Sequence, residues 1–175
     1  MRIKKWSKIE EKVVYDGYRK VHRKTFILPD GRRENFDIIA GDNAVGVVAV
    51  TKENKILLVR QFRTGTEEVY DEIPAGLIDK DEKLIHAARR ELLEETGYTG
   101  KFRFVTSCVN DAYRSKIKYC FVATGCYRIR DPLPDENEFI QVLEKTIEDF
   151  KKQVRSGRLT DTEIAYLGLD YLKLL

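Results

Sequence analysis

Apolar residues in the first half of the chain fall in short runs broken by turn signals. Residues 11–28 are rich in Val, Tyr, Phe and Ile, and LPDG at 28–31 separates them from RRENFDII. Proline and glycine at such a break favour chain reversal, so the first forty residues are predicted to form a β module. A second turn signal, GDN, leads into AVGVVAV at 44–50, and KENK separates that run from ILLVRQF at 56–62. This pair reads as a hairpin. VYDEIPAG follows the loop RTGTEE as a short strand closed by Pro74 and Gly76.

Beyond Gly76 the apolar spacing becomes helical. A helix is predicted over roughly 82–96, with Asp79 or Asp81 as N-cap and Gly97 as the stop. FRFVTSCV (102–109) and KYCFVATGCYRI (118–129) read as two further strands. The loop RDPLPDENE precedes FIQVLEK. TIEDFKKQVRS opens at Thr146 with a Thr-x-x-Asp cap pattern and stops at Gly157, and DTEIAYLGLDYLKLL forms a final amphipathic helix. The organisation is a small antiparallel β module over 1–43 followed by a mixed α/β (α+β) domain over 44–175, with no internal repeat.

Composition narrows the function classes. With 175 residues, 42% apolar and 35% charged, the chain suits one globular core and not a disordered segment. A net charge of +3, from 32 basic and 29 acidic residues, gives little pull on nucleic acid. Lys4, Lys5, Lys8, Arg19, Lys20, Arg23 and Lys24 alternate with apolar residues and read as the wet face of a sheet. No apolar run reaches membrane-spanning length, and MRIKKWSKIEEK lacks the apolar core of a signal peptide. Cys108, Cys120 and Cys126 include no CxxC pair, which fits free thiols in a cytoplasmic, reducing setting. No nucleic-acid and no membrane partner is expected.

The helix carries Glu91, Glu94 and Glu95, like charges three and four residues apart that repel one another. Taking Glu91 as the origin, Glu94 falls at roughly −60° and Glu95 at roughly +40° around the axis, so all three leave one narrow sector. Ile85, Ala88 and Leu92 adjoin that sector and should face the sheet, which sets the carboxylates at the edge of the core. Arg90 precedes Glu94 by four residues and can pair with it. A solvated, Arg–Glu-laced helix face is the plain reading. The alternative is a site for a hard cation such as Mg²⁺, which takes oxygen ligands and bridges to phosphates. Ala75, between Pro74 and Gly76, could add a backbone carbonyl to such a site.

Gly76, Glu82, Arg90, Glu91, Glu94, Glu95 and Gly97 stand in the spacing GX5EX7REUXEEXGU, with Leu92 and Tyr98 at the bulky positions. This stretch resembles the Nudix box. Seven fixed residues at ordinary frequencies match by chance roughly once in 10⁸ windows. The resemblance implies an α/β/α sandwich with a mixed β-sheet, and hydrolysis of a nucleoside diphosphate linked to another moiety. By the same resemblance Glu91 and Glu95 are the principal Mg²⁺ ligands, with Mn²⁺ as a substitute and two or more ions in the site. Glu94 supports them, the Ala75 carbonyl is a further ligand, Gly76 and Gly97 are backbone corners, and Glu82 and Arg90 orient loop and helix.

ILLVRQFR…EIPAG, the β-rich first forty residues, the PDENEFI loop and the last two helices resemble the ADP-ribose and ADP-sugar pyrophosphatase branch of that family. The branch implies a homodimer with exchanged N-terminal strands, and substrate contacts at Arg63 and Glu72. It implies a general base from the mobile acid loop, Glu136 first and Glu138 second. One position departs from the branch. Fifteen residues past Tyr98, where the branch carries proline, stands Tyr113, which resembles the diadenosine-polyphosphate branch and is a candidate substrate contact. The expected activity is Mg²⁺-dependent cleavage of a nucleoside diphosphate sugar, ADP-ribose first, to AMP and a sugar phosphate. Diadenosine polyphosphate hydrolysis is the alternative, and a non-catalytic nucleotide-sensing module the rival from another class.

Overall fold

The computed structural model describes residues 2–109 and 111–175; Met1, and Asn110 of the VNDAYRS stretch, lie outside the described residues. The chain divides into two compact units, residues up to Asp42 together with Val109–Ile117, and Asn43–Cys108 together with Lys118–Leu175. In the first unit β1 (Ser7–Asp16), β2 (Lys20–Ile27) and β3 (Arg33–Ala40) form a three-stranded antiparallel sheet in chain order. The turn at LPDG closes through the Leu28 N–H to the Arg32 carbonyl at 2.8 Å, with Gly31 at φ +84°. Trp6, Phe26 and Phe36 pack ring against ring. Residues 109–117 join this unit by backbone bonds: the Ile39 N–H donates to the Tyr113 carbonyl at 2.9 Å, and the Ser115 N–H to the Ile39 carbonyl at 3.2 Å.

The expected wet face of this sheet needs correcting. Every residue of β1 is exposed, including Ile9, Val13, Val14 and Tyr15, so its alternation does not resolve into a wet side and a dry side within one chain. Of the sheet's cations, Arg23 pairs with Asp37 and Lys24 with Glu11 on neighbouring strands, Lys20 pairs with Asp16, and Lys8 pairs with Glu11 along β1.

The second unit is an α/β/α sandwich. Its strands are β4 (Ala44–Thr51), β5 (Lys55–Arg63), β6 (Glu68–Glu72), β7 (Ala75–Leu77), β8 (Tyr98–Val109), β9 (Ile117–Arg128) and β10 (Gln141–Thr146). The sheet runs β10-β5-β4-β9-β8, with β6 pairing β5 and β7 pairing β4. It is mixed, because β4 runs antiparallel to β5 and β7 but parallel to β9. Helices α1 (Leu84–Thr96), α2 (Ile147–Ser156) and α3 (Thr162–Tyr171) cover its two faces. Val45, Val47 and Ala49 meet Ala87, Ala88 and Leu92 of α1, while Val48 and Val50 meet Phe150, Val154, Ile164 and Leu169 of α2 and α3. A strand covered on both faces has no need of polar alternation, which is why AVGVVAV is apolar throughout.

Two local expectations change. Helix α1 starts at Leu84 with Lys83 as N-cap, and neither Asp79 nor Asp81 caps it. Residues 79–82 form their own turn: the Glu82 N–H donates to the Asp79 carbonyl at 3.1 Å, and Glu82 Oε2 accepts from the Asp79 N–H at 3.1 Å. The strand β6 ends at Glu72, just before Pro74, but Gly76 closes nothing: it lies within β7, paired with β4. The Pro74 carbonyl accepts from the Val47 N–H at 2.9 Å, and the chain resumes as β7. The other punctuation follows the sequence: Gly97 ends α1 at φ +77°, Thr146 caps α2 by accepting from the Asp149 N–H, and Gly157 ends α2 at φ +72°.

Candidate active site

Ala88 and Leu92 turn the inner face of α1 onto the sheet, and this carries Glu91 and Glu95 inward beside β7. Glu95 is 3% exposed and Glu91 8%. The Ala75 N–H donates to Glu95 Oε2 at 3.0 Å, and a methyl group on Gly76 would overlap the Glu91 carboxylate. Ala75 and Gly76 of β7 therefore lie directly on these carboxylates. Burial pushes the Glu91 carboxyl up to about 7, against the pull of Arg90. Burial, and then the charge of Glu91, hold Glu95 well above the ordinary carboxylate range. Two desolvated, mutually repelling carboxylates work against folding; such an arrangement marks a functional site more often than a structural one.

Arg90 ties the motif together. Its guanidinium donates to Glu82 Oε1 and Oε2 at 3.0 and 2.9 Å and to the Leu77 carbonyl at 2.8 Å. Its Nη1 reaches Glu91 Oε1 at 2.8 Å and Glu94 Oε2 at 3.1 Å. Arg90 is accordingly held above the ordinary arginine value, by Glu82 first, and Glu82 below the ordinary carboxylate value, by Arg90 first. Glu94 is half-buried and takes its support from Arg90 alone in this set.

The acid loop reaches the same helix. Leu133 donates its N–H to the Glu94 carbonyl at 2.7 Å, and Ile129 and Arg130 donate to the Gly97 carbonyl at 2.9 and 3.3 Å. Asp135 and Glu138 close a turn, with the Glu138 N–H on the Asp135 carbonyl at 2.9 Å and the Asp135 N–H on Glu138 Oε2 at 3.3 Å. The charge of Glu138 contributes to raising both Glu91 and Glu95. Glu136 and Glu138 are both exposed in this loop.

Arg63 and Glu72 pair with one another at the ends of β5 and β6. Arg63 Nε lies 2.8 and 3.0 Å from the Glu72 oxygens, and Gln61 Nε2 donates to Glu72 Oε2 at 2.9 Å. Glu72 is 1% exposed, while nearly half of the Arg63 side chain is open to solvent. Burial works to lower Arg63, and Glu72 outweighs it, with Glu95 and Asp161 adding to the rise. Sequence reasoning missed the ion group beside this pair: Lys118 binds Asp161 and, at 3.0 Å, Glu163. A lysine opening an apolar strand and a DTE tripeptide forty residues later carry no local signal that joins them. Tyr113 belongs to the first unit, with an exposed ring.

A cavity of about 590 Å³ lined by Arg60, Tyr70, Asp71, Lys145, Gln153 and Arg158, among others, contains none of the carboxylates of α1. Its cations are committed to Asp71, Glu68 and Asp149. Among the described residues no three His, Cys, Asp or Glu side chains already stand gathered as cation ligands. The donor set nevertheless fits a hard divalent ion: all-oxygen, anionic, desolvated, and bordered by a glycine whose missing side chain leaves the Glu91 carboxylate its space.

Residues 42–161 match the NUDIX domain family. The ADP-ribose pyrophosphatase of Bacillus subtilis is 38% identical over 150 residues, covering 84% of this chain and 80% of that protein. The methanol dehydrogenase activator of Bacillus methanolicus is 32% identical over the same shares. The GDP-mannose pyrophosphatase of Escherichia coli is 29% identical over 182 residues, covering 94% of this chain and 93% of that protein. A crystal structure described as an ADP compounds hydrolase superposes with a TM-score of 0.82, covering 99% and 97% of the two chains at 22% identity, and so shares the fold. Motif, fold and family match agree, and the chain belongs to the Nudix family of hydrolases, as a pyrophosphohydrolase.

Proposed function

We propose that this protein hydrolyses the pyrophosphate bond of a nucleoside diphosphate sugar in a Mg²⁺-dependent reaction, with ADP-ribose the foremost substrate and AMP and a sugar phosphate the products. The observation that carries the reading is the desolvated Glu91–Glu95 pair seated on Ala75 and Gly76 of β7. The substrate class rests on the likeness to the Bacillus subtilis ADP-ribose pyrophosphatase over most of both chains.

Glu91 and Glu95, with Glu94 and the Ala75 carbonyl in support, would hold the divalent ions. When bound, these neutralise charge on the phosphates and lower the pKa of a water. The remaining work belongs to the chain. The exposed edge of the Arg63 guanidinium takes a phosphate oxygen while Glu72 fixes its plane. Glu136, with Glu138 the second choice, accepts the proton of a water as that water attacks phosphorus; the bridging P–O bond breaks and the leaving phosphate carries away the electron pair. Tyr113 is a candidate substrate contact. The protein works as a homodimer through residues 1–43, a role that the two-sided exposure of β1 supports, with 44–175 as the catalytic domain and the cytoplasm as the setting.

Product analysis on ADP-ribose, other nucleoside diphosphate sugars and diadenosine polyphosphates, with and without Mg²⁺, tests the proposal. AMP and ribose phosphate from ADP-ribose in Mg²⁺ are expected. Turnover confined to the diadenosine compounds would replace the substrate class, and nucleotide-stabilised melting without turnover would favour a sensing module.

A further inference from the structure

Two glycines end helices in this protein with almost the same backbone. Gly97 closes α1 at φ +77° and Gly157 closes α2 at φ +72°. Their surroundings differ. A side chain on Gly157 would meet nothing within 4 Å, whereas one on Gly97 would overlap the carbonyl oxygen of Arg130, with Arg130 C at 3.1 Å and Asp131 C at 3.3 Å. Left-handed backbone alone explains Gly157. At Gly97 the chain also needs bare space.

That space is filled by the root of the acid loop. The last carbonyls of a helix lack partners within it and must find them elsewhere. In α1 the Leu93 carbonyl takes the N–H of Gly97 at 2.9 Å, and the Glu94 carbonyl takes the N–H of Leu133 at 2.7 Å. Ile129 and Arg130 both donate to the carbonyl of Gly97, and Arg128 Nε reaches the Arg130 carbonyl at 3.2 Å. The loop is thus part of the cap of the helix that carries Glu91 and Glu95, and Pro132 and Pro134 stiffen it on either side of Leu133. Three and five residues beyond Leu133 stand Glu136 and Glu138, the two candidate bases.

We propose that Gly97 is a positioning residue for the acid loop. By leaving room for the Arg130 carbonyl it lets residues 129–133 clasp the C-terminus of α1, and this clasp anchors the loop that carries Glu136 and Glu138. The inference rests on the proposed hydrolase reaction for its kinetic consequence, and on the backbone geometry alone for its existence.

The deciding variant is Gly97→Asn. Asparagine tolerates positive φ, so helix capping survives, but its Cβ still strikes Arg130. A fall in kcat of about 10² or more, the scale of a lost general base, is expected with KM within threefold and Mn²⁺ affinity unchanged. Amide exchange at Leu133 should accelerate. Gly157→Asn, at the uncrowded cap, should leave all four readings as in the parent. Leu133→Pro removes the donor to the Glu94 carbonyl without touching Gly97 and should reproduce the kcat defect, which keeps the test decisive should Gly97→Asn not fold. Normal turnover and slow Leu133 exchange in Gly97→Asn would overturn the proposal, as would equal losses of kcat and Mn²⁺ affinity, since Gly97 would then act through the helix. Normal turnover in both Glu138→Gln and Glu136→Gln would overturn the base assignment instead, and the clasp would still be decided by Leu133 exchange.

Discussion

The carboxylate of Glu91 occupies the space that a side chain on Gly76 would need. Gly76 is not at positive φ, so the glycine is required by this approach and not by its backbone. Gly76→Ala should rotate Glu91 out of line with Glu95 while β7 keeps its pairing with β4. A loss of at least tenfold in kcat/KM and weaker Mg²⁺ dependence are expected, with Tm lowered by only a few degrees. Isothermal titration with Mn²⁺ and steady-state kinetics check both halves; unchanged metal affinity would separate Gly76 from the site.

Glu95 carries the sharper contrast between function and stability. It is nearly fully buried, its carboxyl is held well above the ordinary range by burial, and it accepts from the Ala75 N–H. Glutamine keeps an oxygen for that amide and removes the desolvated charge. Glu95→Gln should therefore lose several orders of magnitude in turnover, yet be as stable as the parent or more so in the absence of metal. Thermal melting in chelator beside an activity assay reads both. A variant that melts early, or that turns over normally, counts against the assignment.

The same burial gives a pH signature. An acid whose folded pKa is raised binds its proton more tightly folded than unfolded, so its contribution is present below the unfolded value and lost as pH rises through the folded one. For Glu91 the window runs from 4.5 to about 7. Metal-free protein should lose stability across that window, by about 3 kcal/mol from Glu91 at 1.36 kcal/mol per unit, and Glu95, raised in the same sense, adds to the decline. Carboxylates held low by their partners, such as Asp71 and Glu82, act in the opposite sense and only at lower pH. Denaturant unfolding in chelator from pH 5 to 8 should show the decline in the parent and a reduced decline in Glu91→Gln. Mg²⁺ should stabilise more at pH 8 than at pH 5.5, since it competes with the proton.

How much of this was legible in the residues depends on the range of the interaction. Helix α1, its stop at Gly97 and the Thr146 cap are written within a few residues, and so is the shared sector of Glu91, Glu94 and Glu95. The buried β4 showed itself as a continuous apolar run. The relationships that shape the site are longer: Gly97 with Arg130, Leu133 with Glu94, and Lys118 with Asp161 and Glu163 join segments with no common pattern. The N-cap was misassigned because Asp79 and Asp81 have the right chemistry, while the turn at 79–82 places Lys83 at the boundary. In β1 an alternating pattern predicted a dry face that one chain alone does not provide.

Arg63 and Glu72 give the last prediction. Glu72 is fully buried and held by Arg63 and Gln61, so removing the arginine leaves a buried carboxylate with half of its partners. Breaking a buried pair costs about 3–5 kcal/mol, more than the pair contributes when intact, because the remaining charge stays desolvated. Arg63→Ala should therefore be destabilised on that scale, and its loss of activity would mix folding with binding. Arg63→Ala with Glu72→Gln removes the orphaned charge and should recover much of the stability. If Arg63 also takes a substrate phosphate, this double variant stays impaired, with KM for ADP-ribose raised at least tenfold. Arg63→Lys should fall between, since an ammonium cannot hold Glu72 and a phosphate with one planar fork. Recovery of both stability and KM in the double variant would make Arg63 a purely structural partner of Glu72.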